Sequence, residues 1–262
     1  MGPKDGCLWA LFLFSLRVCK SGSDPLSRPC DHEKYPGNGK NADPSQDYGH
    51  DPSIVGLVGA SNLSTAIIIL GIAVVLVFVA SPKYGQFVVM GLLGMGFMGV
   101  FLALESYRLE RIAIWRNPED YEKGYQTLQG LYAIGSGGLF GRGLGESVQK
   151  LGFVPEAQND MIFSIICEEL GLFGAGIILL LFLILIWRFY VTASRAEDLF
   201  GALIASGAMA HMMIQVILNI SVVTNTIPNT GITLPFVSYG GTSVVFLLIE
   251  MGLVFSVSSL VK

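Results

Sequence analysis

The stretch "VPEAQNDMIFSIICEELG", residues 154–171, decides how this chain is read. It begins as a polar loop and becomes an apolar run that continues through "LFGAGIILLLFLILIW" to residue 187. A run of that length is long enough to cross a bilayer as a helix. Asp160 stands at its edge, and Glu168 and Glu169 stand inside it. Carboxylates are costly at membrane depth, so each needs a reason to be there.

Composition supports the membrane reading. The chain has 262 residues, 52% of them hydrophobic and 14% charged, with a mean hydropathy of +0.60. Soluble domains carry roughly 25% charged residues. The formal net charge is −4 and no basic stripe appears, so nucleic acid is excluded as a partner. Five apolar stretches, 63–80, 86–104, 161–187, 199–220 and 241–260, are predicted to span. The fold class expected is therefore all-α, a polytopic transmembrane helix bundle of about five spans.

The first sixty residues differ from the rest. "CLWALFLFSLRVC" (7–19) is short for a span and is interrupted by Arg17. Residues 20–53 are rich in Gly, Pro, Ser, Asp and Asn, the chemistry of loop and disorder. Residues 1–60 are thus expected to be disordered, and residues 61–262 to form the membrane domain. Cys7, Cys19, Cys30 and Cys167 form no CxxC pair, so no metal or redox site is expected.

Two loops carry the polar chemistry. The loop 105–160 holds six of the sixteen Lys and Arg residues. A loop this long is usually functional. Within it, "GLYAI" reads as a partly buried helix at the membrane interface. "GSGGLFGRGLG" reads as turns rather than a phosphate loop, since Walker spacing is lacking. The second loop, "NTIPNTGITLPFVSYGGTS" (225–243), has two prolines and must be buried in protein or line a cavity. His211, Gln215 and Asn219 recur every fourth residue on one face of the fourth span, and are expected to knit helices together.

"YRLERI" (107–112), "LSTA" (63–66), residues 124–171 beginning "GYQTLQGLYAIGSGG" and "IPNTGITLPFVSYGGTS" (227–243) together resemble the FtsW/RodA/SpoVE (SEDS) family of bacterial cell-wall polymerases. The resemblance covers residues 61 to the end and leans toward the FtsW and SpoVE branch of Clostridia-like bacteria. It implies a peptidoglycan glycosyltransferase of the bacterial cytoplasmic membrane that polymerises lipid II into glycan strands during division or wall synthesis. It implies a class B penicillin-binding protein as partner, with other divisome or elongation proteins. The family has ten spans, so this chain would carry the last five and be N-terminally truncated. Loop 105–160 would be extracellular. Counting charges points the other way, because twelve of the sixteen Lys and Arg residues fall on that face. The motifs are preferred, and basic residues outside would meet a lipid-linked pyrophosphate.

The resemblance makes Asp160 the catalytic candidate, a general base that takes a proton from a sugar hydroxyl attacking an anomeric carbon. The same position also suits a helix cap. Arg108 and Arg111 suit pyrophosphate oxygens by forked hydrogen bonds. Arg142, Lys150, Glu156 and Gln158 are further candidates for the cleft, as are Ser238 and Tyr239, with Thr242 beside them. A divalent cation, Mg²⁺ or Mn²⁺, could bridge the pyrophosphate, although no dedicated cage is visible. Glu168 lies roughly 12 Å along the helix and about 80° around it from Asp160, too far for a catalytic pair. Glu168 and Glu169 are expected in helix packing, salt bridges or a polar cavity. Thr230 stands where some relatives carry Lys, so no role of that Lys transfers. Two other readings are a lipid-linked precursor flippase or transporter, which polar groups within spans would suit, and an inactive fragment or scaffold.

Overall fold

The computed structural model describes residues 63–80 and 106–261, with scattered helical positions between 91 and 99. The region 1–60 and most of the expected span 86–104 lie outside the described residues. Among the described residues the structure is helical, without strands. The helices are α1 (Leu63–Ala80), α2 (Ser106–Arg116), α3 (Tyr125–Gly137), α4 (Ile162–Arg195), α5 (Leu199–Val223) and α6 (Gly241–Leu260). Three of them, α4, α5 and α6, are long and apolar enough to cross a membrane.

Helix α5 is the inner member, packing against α1, α4 and α6. Half of its apolar window is buried, against 17% in α4 and in α6, so those two keep broad apolar faces turned outward. Ala205 and Ala210 of α5 are fully buried, and such small side chains let helices approach closely in lipid. On one side, Ile68, Ile72 and Leu76 of α1 meet Leu203 and Ala210. On the other, Phe163, Phe182 and Phe189 of α4 meet Ala208, Met212 and Val216 of α5 and Leu247 and Val254 of α6. Polar side chains reinforce this packing. His211 Nδ1 lies 2.9 Å from Glu250 Oε2 and ties α5 to α6, the knitting expected of that stripe.

The third span departs from its expected form in two ways. It runs to Arg195 rather than 187, because residues 188–195 contain no breaker; Thr192 and Ser194 return their hydroxyls to the carbonyls of Arg188 and Tyr190. It is also broken at Gly171, whose φ of 70° and ψ of −175° leave the helical region. The break frees backbone groups that a continuous helix would pair internally, and residues 138–143 take them up. Arg142 N and Gly143 N donate to the carbonyls of Glu168 and Glu169, while Leu172 N and Phe173 N donate to Gly138 O and Leu139 O, all at 2.9–3.0 Å. Gly171 and Gly141 make the approach feasible, since a Cβ at either would collide with the other strand of this pairing.

The segment between α2 and α4 is not structureless. Short 3₁₀ turns at Pro118–Asp120 and Glu122–Gly124 lead into α3, and a third follows at Gln149–Leu151. Helix α3 buries Gly130, Ala133 and Gly137, with Gly130 against Met161 and Gly137 against Cys167, as the partly buried helix expected at "GLYAI".

Candidate active site

Asp160 sits two residues before α4 and is 8% exposed. Its backbone is fixed by Asn219, whose Nδ2 donates to Asp160 O and to Ile232 O, each at 2.8 Å. The carboxylate opens into a cleft of about 270 Å³ lined by Glu110, Arg111, Trp115, Thr127, Asn225 and Asn229 among others. Gln126 Nε2 reaches Asp160 Oδ1 at a long 3.5 Å, and its Oε1 accepts from Asn229 Nδ2 at 3.3 Å. The backbone of Gly231 passes beside the carboxylate.

The far wall of the cleft is joined to α2. Arg111 Nη1 donates to Asn229 O at 3.2 Å, and Trp115 Nε1 donates to Asn225 O at 2.9 Å. A carboxylate and a guanidinium therefore line one cleft, the first suited to a proton and the second to an anion. Arg108 lies one turn before Arg111 on α2; its side chain is outside the described residues. Asn225 in the cleft wall holds a positive φ of 54°, as do Glu156 and Phe236 in the loops before α4 and α6, at 53° and 61°. Backbone in that region is uncommon outside glycine and collects at functional sites.

The remaining sequence candidates have other surroundings. Ser238 accepts from Leu234 N at 2.8 Å and donates to Asn159 O at 2.6 Å. Tyr239 N donates to Gln158 O at 2.8 Å, and the Tyr239 side chain is largely exposed. These bonds lock the loop before α4 to the loop before α6, directly behind Asp160. Glu156 accepts from Asn159 Nδ2 and keeps that loop tight. Arg142 and Lys150 do not line the cleft. Arg142 Nη1 lies 3.5 Å from Glu168 Oε1, and Lys150 Nζ lies 2.7 Å from Glu169 Oε1. The fully buried Glu168 carboxylate also accepts the Ser147 hydroxyl at 2.5 Å and the Val148 and Gln149 amides at 3.3 Å. Both glutamates thus make salt bridges, one of the three roles expected of them.

Sequence reasoning did not single out Glu110, Trp115, Gln126, Asn225 or Asn229. Each is a lone polar or aromatic residue without a periodic pattern. Among the described residues no group of three or more His, Cys, Asp or Glu side chains could hold a metal ion.

A fold of apolar spanning helices with an acidic cleft at the head of one of them defines a class of multi-pass membrane protein. The model of the FtsW/RodA/SpoVE cell cycle protein family matches residues 53–262, and the chain belongs to that family. It is 46% identical to Stage V sporulation protein E of Bacillus subtilis (strain 168) over 200 residues, 75% of this chain and 54% of that protein. It is 37% identical to a probable peptidoglycan glycosyltransferase FtsW of Geobacter sp. (strain M18) over 207 residues, 78% of this chain and 56% of that one. The chain spans about half the length of these curated relatives. Two solved structures share the fold. One is a chain of a peptidoglycan synthase complex described as coordinating polymerization and crosslinking, with a TM-score of 0.68 at 23% identity over 98% of this chain and 82% of that one. The other is a variant of the rod shape determining protein RodA of Thermus thermophilus, with a TM-score of 0.53 at 27% identity over 80% of this chain and 54% of that one.

Proposed function

We propose that this chain carries the polymerising site of a peptidoglycan glycosyltransferase acting on lipid II in the bacterial cytoplasmic membrane, with residues 105–160 on the extracellular face. The observation that carries this reading is the placement of a buried carboxylate, Asp160, in one cleft with Arg111 at the head of a membrane span. The naming of the FtsW relative as a probable peptidoglycan glycosyltransferase supports it.

In this mechanism Asp160 accepts the proton of a sugar hydroxyl as its oxygen attacks the anomeric carbon of a second, lipid-linked sugar. The bond from that carbon to the pyrophosphate oxygen breaks, and the configuration inverts. Arg111, with Arg108 a turn earlier, neutralises the departing pyrophosphate. Pyrophosphate is already a good leaving group, so a single base suffices. Burial of Asp160 keeps bulk water from competing for the proton. A Mg²⁺ or Mn²⁺ ion travelling with the pyrophosphate would find the carboxylates of Glu110 and Asp160 in the same cleft and would add charge neutralisation there. A class B penicillin-binding protein is the proposed crosslinking partner, in keeping with the polymerization and crosslinking named for the solved complex.

The test is polymerisation of labelled lipid II by the purified chain in nanodiscs, with and without a class B transpeptidase. Glycan ladders on a gel are the expected result. Transfer of lipid II between leaflets without any polymer would favour the flippase reading and overturn this one.

A further inference from the structure

We infer that residues 138–153 are embedded in the lipid leaflet on the Asp160 side, with their apolar side chains at the boundary between acyl chains and headgroups. This goes beyond the catalytic reading and does not depend on it.

Helix α4 supplies the depth scale. Trp187 and Tyr190 are exposed near its far end, with ring centroids 5.6 Å apart, and Arg188 lies between them. Such residues mark a membrane interface. Counting back from Trp187 to Glu168 at about 1.5 Å per residue gives roughly 28 Å. The hydrocarbon core is about 30 Å thick. The opposite boundary therefore falls at Glu168–Gly171, the place where residues 138–143 pair with the broken helix.

The surface at this level is apolar and continuous. Leu172 and Phe173, the first residues beyond the break, are 53% and 67% exposed and belong to the outward face of a spanning helix. Hydrogen bonds from their amides to Gly138 and Leu139 carry that face directly into the loop. There Leu139, Phe140, Leu144 and Leu151 are 65%, 81%, 77% and 75% exposed, and Phe153 is half exposed. In water, so many large side chains on one short segment would be an aggregation hazard. Against acyl chains they extend the lipid-facing surface of α4.

Several polar groups of the same segment are paired within protein, while Glu146 is exposed and would lie on the headgroup side. Non-helical backbone at membrane depth persists only where its polar groups are satisfied within protein. Glu168 accepts from Ser147, Val148 and Gln149. The Lys150 ammonium donates to Gly145 O at 2.6 Å and to Glu169 at 2.7 Å. Arg142, only partly covered, has the length to place its guanidinium among headgroups. A lipid collar of this kind would stand beside the cleft, whose Asp160 lies roughly 12 Å further out from Glu168 by the same helical rise.

The experiment is nitroxide labelling in nanodiscs of neutral and anionic phospholipid. A background of Cys7→Ser, Cys19→Ser, Cys30→Ser and Cys167→Ala receives one cysteine at a time, Phe140→Cys or Leu144→Cys. Phe173→Cys serves as the lipid reference and Glu119→Cys, on an exposed turn, as the water reference. Power saturation with oxygen and with a nickel chelate reads depth. Labels at 140 and 144 are expected to match the lipid reference, with an oxygen-to-nickel accessibility ratio several-fold above that at 119. A ratio at both positions equal to that at 119, beside a lipid-like Phe173 reference, would overturn the inference. Nickel access that is lost only on adding a class B transpeptidase would also overturn it, and would reassign the patch to a protein partner.

Discussion

The side-chain amide of Asn219 holds the main-chain carbonyl of Asp160 at 2.8 Å and, with its second hydrogen, the carbonyl of Ile232 at the same distance. One fully buried side chain on α5 thus joins the loop before α4 to the late loop. The proposed base is positioned through its backbone rather than through its carboxylate alone. Asn219→Leu keeps the volume but leaves two buried carbonyls unpaired, at about 1–3 kcal/mol each. The expected outcome is a fall in kcat of about 10- to 100-fold with KM for lipid II little changed, and a lower Tm. A lowered Tm with kcat intact would show that the amide only supports the fold.

Gly171→Ala is expected to detach residues 138–143 from α4. The added Cβ meets Gly141 N and Leu139 O, and φ at this position is 70°. Proteolysis within 138–150 should rise sharply. Gly176, with nothing within 4 Å of an added Cβ, is the control. Gly176→Ala should leave proteolysis unchanged and stabilise the helix by about 0.5–1 kcal/mol.

The two glutamates of the opening stretch should differ in thermal unfolding. Glu168→Leu strips the acceptor from Ser147, Val148 and Gln149 in a buried site, and is expected to cost about 3 kcal/mol. Lys150→Ala removes the ion pair with Glu169, which is open to solvent or headgroups, and should cost about 1 kcal/mol or less. Equal losses would contradict the burial argument.

Arg111 tests anion recognition. Arg111→Ala should raise KM for lipid II about tenfold or more, from loss of charge-assisted hydrogen bonds to pyrophosphate. Arg111→Lys should recover part of this, since a lysine keeps the charge but not the fork. Steady-state kinetics with lipid II in nanodiscs separates the two parameters.

The helices at 63–80, 199–220 and 241–260 were legible because lipid selects unbroken apolar runs, and runs survive in one dimension; of these, the last two are long and apolar enough to cross a membrane. Asp160 was legible as a charge at the end of such a run and through its motif. The break at Gly171 was not, because a glycine within an apolar helix also serves close packing; what identifies it is φ, which composition does not carry. The cleft walls were hidden for another reason. Trp115 meets Asn225, and Gln126 meets Asn229, across more than one hundred residues of chain. Single amides and indoles leave no periodic trace of such pairings. Geometry along the helix did separate Glu168 from Asp160, yet nothing in the spacing named Ser147 as its partner.

In the proposed mechanism Asp160 accepts the proton of the attacking hydroxyl. Single-turnover polymerisation of lipid II by wild type and by Asp160→Asn, in nanodiscs with a saturating class B transpeptidase, measures it most directly. The asparagine preserves size and the backbone bond to Asn219. The expected result is unchanged lipid II binding and a chemical step slowed by about 10²- to 10⁴-fold. Equal rates for the two proteins, with binding intact, would contradict the account.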